Sequence, residues 1–120
     1  SQTPSLKCSQ TNDYFTVDAS SRGNHALDYP VGLITIDEII LAGGFGGSNN
    51  TNFWLNTNQV YWTMSPYNFN GSANVFYIDQ NGYLYSWGVT DKYGVRPIIN
   101  LDANITLTGS GTTSSPYEIS

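Results

Sequence analysis

Cys8 and His25 are the only side chains in this sequence whose ordinary pKa values suit nucleophilic or acid–base work near neutral pH, and neither sits in a pattern that supports it. His25 lies in the polar run SSRGNHALD with no motif around it. Cys8 lies in the polar opening SQTPSLKCSQ, so no Cys/His pair for covalent catalysis is specified. Asp37 and Glu38 are neighbours on a predicted helix and diverge from its axis, which rules out a facing carboxylate pair of the glycosidase kind. Asp79, Asp91 and Asp102 could approach one another in a sheet, but nothing in the sequence specifies it. No His/Cys cluster with metal spacing and no D-x-D-x-D-G calcium loop occurs. The sequence predicts no catalytic residue, no metal ligand and no cofactor.

Binding chemistry is another matter. Residues 61–97 read YWTMSPYNFNGSANVFYIDQNGYLYSWGVTDKYGVRP and hold Tyr61, Trp62, Tyr67, Phe69, Phe76, Tyr77, Tyr83, Tyr85, Trp87 and Tyr93. Asn, Ser and Gly are scattered between them. Tyr and Trp offer large rigid contact area with few torsions to freeze, and Ser, Asn and Gly offer adaptable hydrogen bonds. The stretch has the composition of a recognition surface.

Composition narrows the partner. Of 120 residues, 39% are hydrophobic, 14% aromatic and only 11% charged, which is not the profile of a disordered chain. The length suits one domain with a modest core. Twelve glycines with abundant Asn, Ser and Thr favour a turn-rich, largely β protein. Net charge is −5, and the four cations Lys7, Arg22, Lys92 and Arg96 are spread along the chain. No phosphate-binding surface can be assembled from them, so nucleic acid is excluded as a partner despite aromatics that could stack on bases. Low Lys and Glu with high Asn, Ser, Thr and Tyr leans toward an extracellular or cell-surface setting. A single cysteine makes no internal disulfide; Cys8 is either a free thiol or the partner of a cysteine outside this chain. The start lacks an initiator Met and a signal peptide, which fits a trimmed or processed exported chain. No apolar run approaches the ~20 residues that span a bilayer.

These residues need elements to hold them. Residues 1–13 are polar and expected to be poorly ordered, with residues 14–120 forming a single domain. Residues 14–17 read as a short strand and 19–27 as a loop. Residues 31–34 form a second short strand-like run. Thr35 is then a helix N-cap, with Glu38 at the capping-box spacing and Asp37 and Glu38 in the first turn. The helix is predicted over residues 36–42, with Gly43 or Gly44 closing it. The glycine-rich stretch 43–52 follows a helix instead of preceding one, the wrong place for a phosphate loop. Residues 53–55 form a turn or a buried anchor. Strands are predicted at 60–64, stopped by Ser65-Pro66, then at 74–79, 83–89 and 94–101. A last strand at 105–107 is followed by a further run at 117–119. Asn81-Gly82 supplies a tight turn.

Alternation divides the aromatics by face. Phe76, Ile78 and Leu84 are predicted to be buried. Tyr77, Asp79, Tyr83, Tyr85 and Trp87 then point the other way. Their competing roles are those of cross-strand pairs that only stiffen the sheet, or of rings covered by the loops. Arg96, between Val95 and Pro97, is expected to satisfy backbone carbonyls or a carboxylate.

Five motifs carry a family resemblance. They are Y-P-V-G-L-I-T-x-D-E at 29–38, W-x-M-S-P at 62–66, V-F-x-I-x-x-x-G-x-L at 75–84, G-V-R-P-I-I-N-L at 94–101 and G-S-G-T-x-x-x-P-Y-x-I at 109–119. Together they resemble bacterial surface and phage-associated domains with a C-type-lectin-like fold, of the formylglycine-generating-enzyme type. The resemblance implies an α+β fold with a small, mostly antiparallel sheet and one or two short helices. Some members follow a prepilin-type N-terminal helix, which implies attachment to a pilus or phage particle through a segment before residue 1. Several are variable proteins of diversity-generating retroelements, with adenine-directed changes concentrated on the exposed sheet face. The matching positions here are Tyr67, Asn68, Asn70, Ser72, Asn74, Tyr77, Asp79, Asn81, Tyr83, Tyr85, Ser86 and Trp87. Trp87 departs from that pattern, because adenine changes to an Asn codon do not reach Trp. The E-P-N, Q-P-D and W-N-D calcium motifs of true C-type lectins are absent, so calcium-dependent sugar binding is not implied. The expected function is a non-enzymatic adhesin-like module that binds a protein or glycan on a cell or host surface. The alternative is a structural pilin-like or fibre subunit whose aromatic face is a subunit contact.

Overall fold

The computed structural model describes residues 3–18 and 21–120. Its centre is a three-stranded antiparallel sheet of β2 (Tyr61–Phe69), β3 (Ala73–Ile78) and β4 (Leu84–Gly88), with β3 in the middle. There are also two smaller antiparallel pairs: β1 (Gly32–Leu33) with β5 (Pro97–Ile98), and β6 (Leu107–Thr108) with β7 (Glu118–Ile119). Among the described residues the α-helical structure is α1 (Ile36–Leu41), preceded in the chain by a 3-10 turn at Thr11–Asp13. The architecture is the small α+β arrangement the sequence predicts.

The helix forms where its caps dictate. The Thr35 hydroxyl accepts from the Glu38 amide, and the Glu38 carboxylate accepts from the Thr35 amide at 2.8 Å, completing the capping box. At the other end the Gly44 amide reaches Ile39 O and the Gly43 amide reaches Ile40 O, with Gly43 at φ +96°. That is the Schellman pattern, and it ends the helix one residue before the predicted Ala42. Residues 53–55 form a turn that buries Phe53 and Leu55 and leaves Trp54 exposed.

Ile34, Ile39, Phe53, Leu55, Tyr61 and Ile78 make the core, with Ala42, Leu84 and Ile98 packed against it. Ile78 and Leu84 thus lie inward as the alternation required, with Phe76 half-buried on the same face. The core is small for the chain. The molecule exposes 8788 Å², whereas a compact monomer of its 13.2 kDa mass exposes roughly 6,400 Å². The radius of gyration, 15.9 Å, likewise exceeds the ~14 Å of a compact domain this long.

Four strand expectations need correcting. Ser65-Pro66 does not stop β2. Register shifts between Trp62 and Pro66 absorb it as a bulge, a position that tolerates a residue with no amide donor. The buried Thr63 hydroxyl donates to Phe76 O at 2.9 Å and accepts from the Ser65 amide. The Ser65 hydroxyl in turn accepts from the Ile36 amide, tying the bulge to the start of α1. β2 therefore continues to Phe69, and the connection to β3 is reduced to a turn around Gly71. The strand expected over 94–101 is reduced to Pro97–Ile98. The strand expected at 105–107 lies at Leu107–Thr108. Residues 14–17 form no strand, because Thr16 spends its bonds on Asn24 and His25 within its own loop.

Arg96 has the structural partners expected of it. Its Nη1 donates to Leu55 O at 2.6 Å, and its guanidinium lies 4.7 Å above the Tyr61 ring centroid. The Tyr61 hydroxyl donates to the same carbonyl at 3.1 Å.

Candidate functional site

Register places one aromatic on each strand of the central sheet in a single row. Trp62 on β2 faces Tyr77 on β3, which faces Tyr85 on β4. The rings follow the backbone: Trp62–Tyr77 centroids are 5.9 Å apart, edge to face, and Tyr77–Tyr85 are 5.9 Å apart, stacked. Two further rings extend the row. Tyr83, just before β4, lies 4.1 Å from Tyr85. Tyr93 lies 4.7 Å from Trp62 and 4.8 Å from Tyr77.

Tyr93 arrives by a close backbone approach. Gly94 donates to Val60 O and accepts from the Trp62 amide, both at 3.0 Å, as a parallel bridge beside Tyr61. A Cβ at residue 94 would sit 2.8 Å from Val60 O, so only glycine lets the segment lie this near. Trp62 and Tyr93 were missing from the sequence-predicted site. Trp62 alternates with buried Tyr61, which signals its face; Tyr93 depends on a pairing that no local pattern specifies.

The predicted residues divide by face. Tyr77, Tyr83, Tyr85 and Trp87 share the aromatic side, and Val75 pairs with Trp87 beside them. Trp87 and Tyr85 are the exposed members, at 55% and 48%, and Trp62, Tyr77, Tyr83 and Tyr93 are half-buried. Asn74 and Ser86 alternate to the opposite side with Phe76, and Tyr67 meets Phe76 edge to face at 5.1 Å there. Asn68 pairs with Asn74, whose amide donates to the Asn68 side-chain oxygen at 2.9 Å. Asn70 and Ser72 flank the turn at Gly71. One face does not gather the whole set.

Asp79 and Asn81 belong to the second hairpin turn. Asp79 Oδ1 accepts from the Asn81 and Tyr83 amides, each at 2.8 Å. The Gly82 amide donates to Asp79 O, with φ at Gly82 of +71°. Gly82 is buried against Asn50 O, whose residue donates its amide to Asn81 O. The Asp79 carboxylate is thereby committed to holding the turn that carries Tyr83.

Burial pushes the Tyr77 phenol above its ordinary value, and neighbouring Tyr93, Asp79 and Tyr85 add to the rise. Burial also raises Tyr61, partly offset by Arg96 beside it. Both phenols are neutral at physiological pH, and the aromatic row itself carries no formal charge. What the row can offer chemically is ring faces, hydroxyl donors and acceptors, and apolar edges. Among the described residues no group of His, Cys, Asp and Glu is placed to hold a metal ion, and no helix is long and apolar enough to cross a membrane. Cys8 is an exposed free thiol.

Fold and site together define a small α+β domain with a continuous aromatic row across its central sheet. The family model that matches residues 1–103 is described as a domain of unknown function, DUF6273, and the chain belongs to that family. No curated protein and no solved structure matches the chain.

Proposed function

We propose that this domain is a non-enzymatic ligand-binding module with a C-type-lectin-like arrangement, displayed outside the cell on a bacterial surface, pilus or phage particle. Its ligand is a protein or glycan held against the aromatic row. The observation that carries this reading is the contiguity of five rings, Trp62, Tyr77, Tyr83, Tyr85 and Tyr93, with Trp87 on the same side of the sheet and Trp87 and Tyr85 left open to solvent. A sheet that needed aromatics only for stiffness would cover them; large apolar area left exposed marks interaction surface. The two open rings act as anchors, and the half-buried Tyr77 and Tyr83 hold Tyr85 in place. Anchors of this type carry most of the affinity of an interface, and the surrounding polar groups tune it.

The test separates anchor from scaffold. Trp87→Ala touches no neighbouring ring and should abolish capture on a glycan array or by a host-surface protein while moving stability by under ~1 kcal/mol. Unchanged capture with Trp87→Ala and Tyr85→Ala together would refute the reading. Diversification of this face has its own test in the gene neighbourhood: a reverse transcriptase beside a near-identical repeat of codons 61–97.

A second reading, a structural subunit of a pilus or fibre, is favoured by the surface in excess of a compact monomer. Concentration-dependent polymers on size exclusion would support it over the binding module.

A further inference from the structure

We infer that the outer edge of β4 pairs with the same edge of a second copy of this chain, about a two-fold axis through Ser86. The inference concerns the edge of the sheet and stands apart from the ligand reading of its face.

Hydrogen-bond parity identifies the open groups. The Val89 amide donates to Ala73 O, and the Asp79 amide donates to Tyr83 O. Both pairs belong to the β3–β4 register that matches Val75 with Trp87 and Tyr77 with Tyr85. Bonded pairs alternate along an antiparallel ladder, so Tyr85 and Trp87 bond inward to β3. Ser86 then directs its amide and carbonyl outward. Among the described residues no backbone bond from outside the sheet reaches them.

The two edges of the sheet are treated differently. β2 is bulged, carries Pro66, and is covered where the Met64 amide bonds Ile34 O and the Trp62 amide bonds Gly94 O. Those are the usual devices that blunt an edge. β4 reads Leu-Tyr-Ser-Trp-Gly, with no proline, no charge and no bulge in its pairing. Phe45 and Gly46 close one end of this edge beside Tyr83 and Leu84, and the Gly88–Asp91 turn closes the other. The open window is therefore short and centred on Ser86.

That window is self-complementary. Two copies related at Ser86 exchange the Ser86 amide and carbonyl bonds reciprocally. Tyr85 of each then stands opposite Trp87 of the other, in the closely spaced unbonded position where side chains meet best. Both aromatic rows fall on the same side of a six-stranded sheet. Although each copy carries a net charge of −5, the strands that meet are neutral. The surface in excess of a compact monomer leaves area for such a contact.

Amide exchange on the unaltered protein tests this directly. From tens of micromolar to about a millimolar, the range in which a short contact forms, Ser86 amide exchange should slow at least severalfold. Tyr85 and Trp87, already bonded inward, should stay protected throughout. Sedimentation over the same range should show a monomer–dimer equilibrium. Ser86→Pro removes the outward amide without removing a ladder bond, so it should abolish the dimer and leave the melting transition cooperative. Concentration-independent exchange at Ser86, including the case where only an added extended peptide slows it, would overturn the inference. So would a dimer that survives Ser86→Pro.

Discussion

Removing the Asp79 carboxylate tests whether this residue serves the turn or the surface. In Asp79→Ala the Asn81 and Tyr83 amides lose acceptors at 2.8 Å each. Both amides lie at a half-buried turn packed on Asn50, so water replaces the carboxylate only in part. A side-chain acceptor for a backbone amide is worth about 1 kcal/mol at a helix cap, and two together give roughly 2 kcal/mol here. For a chain of this length the melting entropy is about 0.25 kcal/mol/K, so the midpoint should fall by about 8 °C. Asp79→Asn keeps an oxygen at the accepting position and should lose less than half of that. Thermal unfolding followed by near-ultraviolet circular dichroism, which reports the Tyr83–Tyr85 packing, is the assay. If Asp79→Ala melts within ~0.5 kcal/mol of the parent, the turn does not depend on this carboxylate. In that case Asp79 would be free to serve as a contact residue on the aromatic face.

Arg96→Met removes the donor to Leu55 O and the cation above Tyr61, and should destabilise by about 2–3 kcal/mol, measured by urea unfolding. Arg96→Lys should recover only part of this, because an ammonium cannot both stack and donate in the plane of a guanidinium. At alkaline pH the phenols of Tyr61 and Tyr77 matter, since both ionise at higher pH in the folded chain than the ordinary value of 10.0. The folded state then holds protons that the unfolded state has released. Stability from this source is complete below about pH 10 and is lost as pH rises through the folded values. The urea midpoint should decline above that pH, and Tyr61→Phe with Tyr77→Phe should flatten the decline.

The elements read most readily from sequence were those set by local chemistry. Thr35 and Glu38 specify the start of α1 through their mutual bonds, to which Ser65 adds one bond to the Ile36 amide, and Gly43 and Gly44 specify its end from within the same few residues. The division of Phe76, Ile78 and Leu84 from Tyr77 and Tyr85 was legible for the same reason, because alternation is a property of the strand itself. What depended on pairing was not legible. Pro66 looked like a stop, since a proline cannot donate to a ladder. The bulge makes that donor unnecessary, and Thr63 supplies the missing bond from its side chain. The run GVRPIINL looked like a full strand, yet its Gly94 and Arg96 are engaged with Val60 and Leu55 and leave two residues to pair with β1. Tyr93 joined the aromatic row through that same engagement.

Register also decides what the aromatic richness of residues 61–97 can mean. Composition alone treats Tyr67, Tyr77, Ser86 and Trp87 as equivalent recognition residues. Pairing separates them into a row of rings on one side, an amide and phenyl pair on the other, and an outward backbone edge at Ser86. The three positions would answer substitution differently. On the two proposals above, Trp87 would change what is bound and Ser86 whether two sheets join, whereas Tyr67 would change how the far end of the sheet packs on Phe76. If the two proposals hold together, joining the edges brings Trp87 of one copy beside Tyr85 of the other. A ligand spanning both rows would then bind the dimer more tightly than either row alone, by the effective concentration that linkage supplies. Ser86→Pro would in that case weaken capture without touching a ring, an outcome that neither a purely monomeric binding face nor a purely structural edge produces.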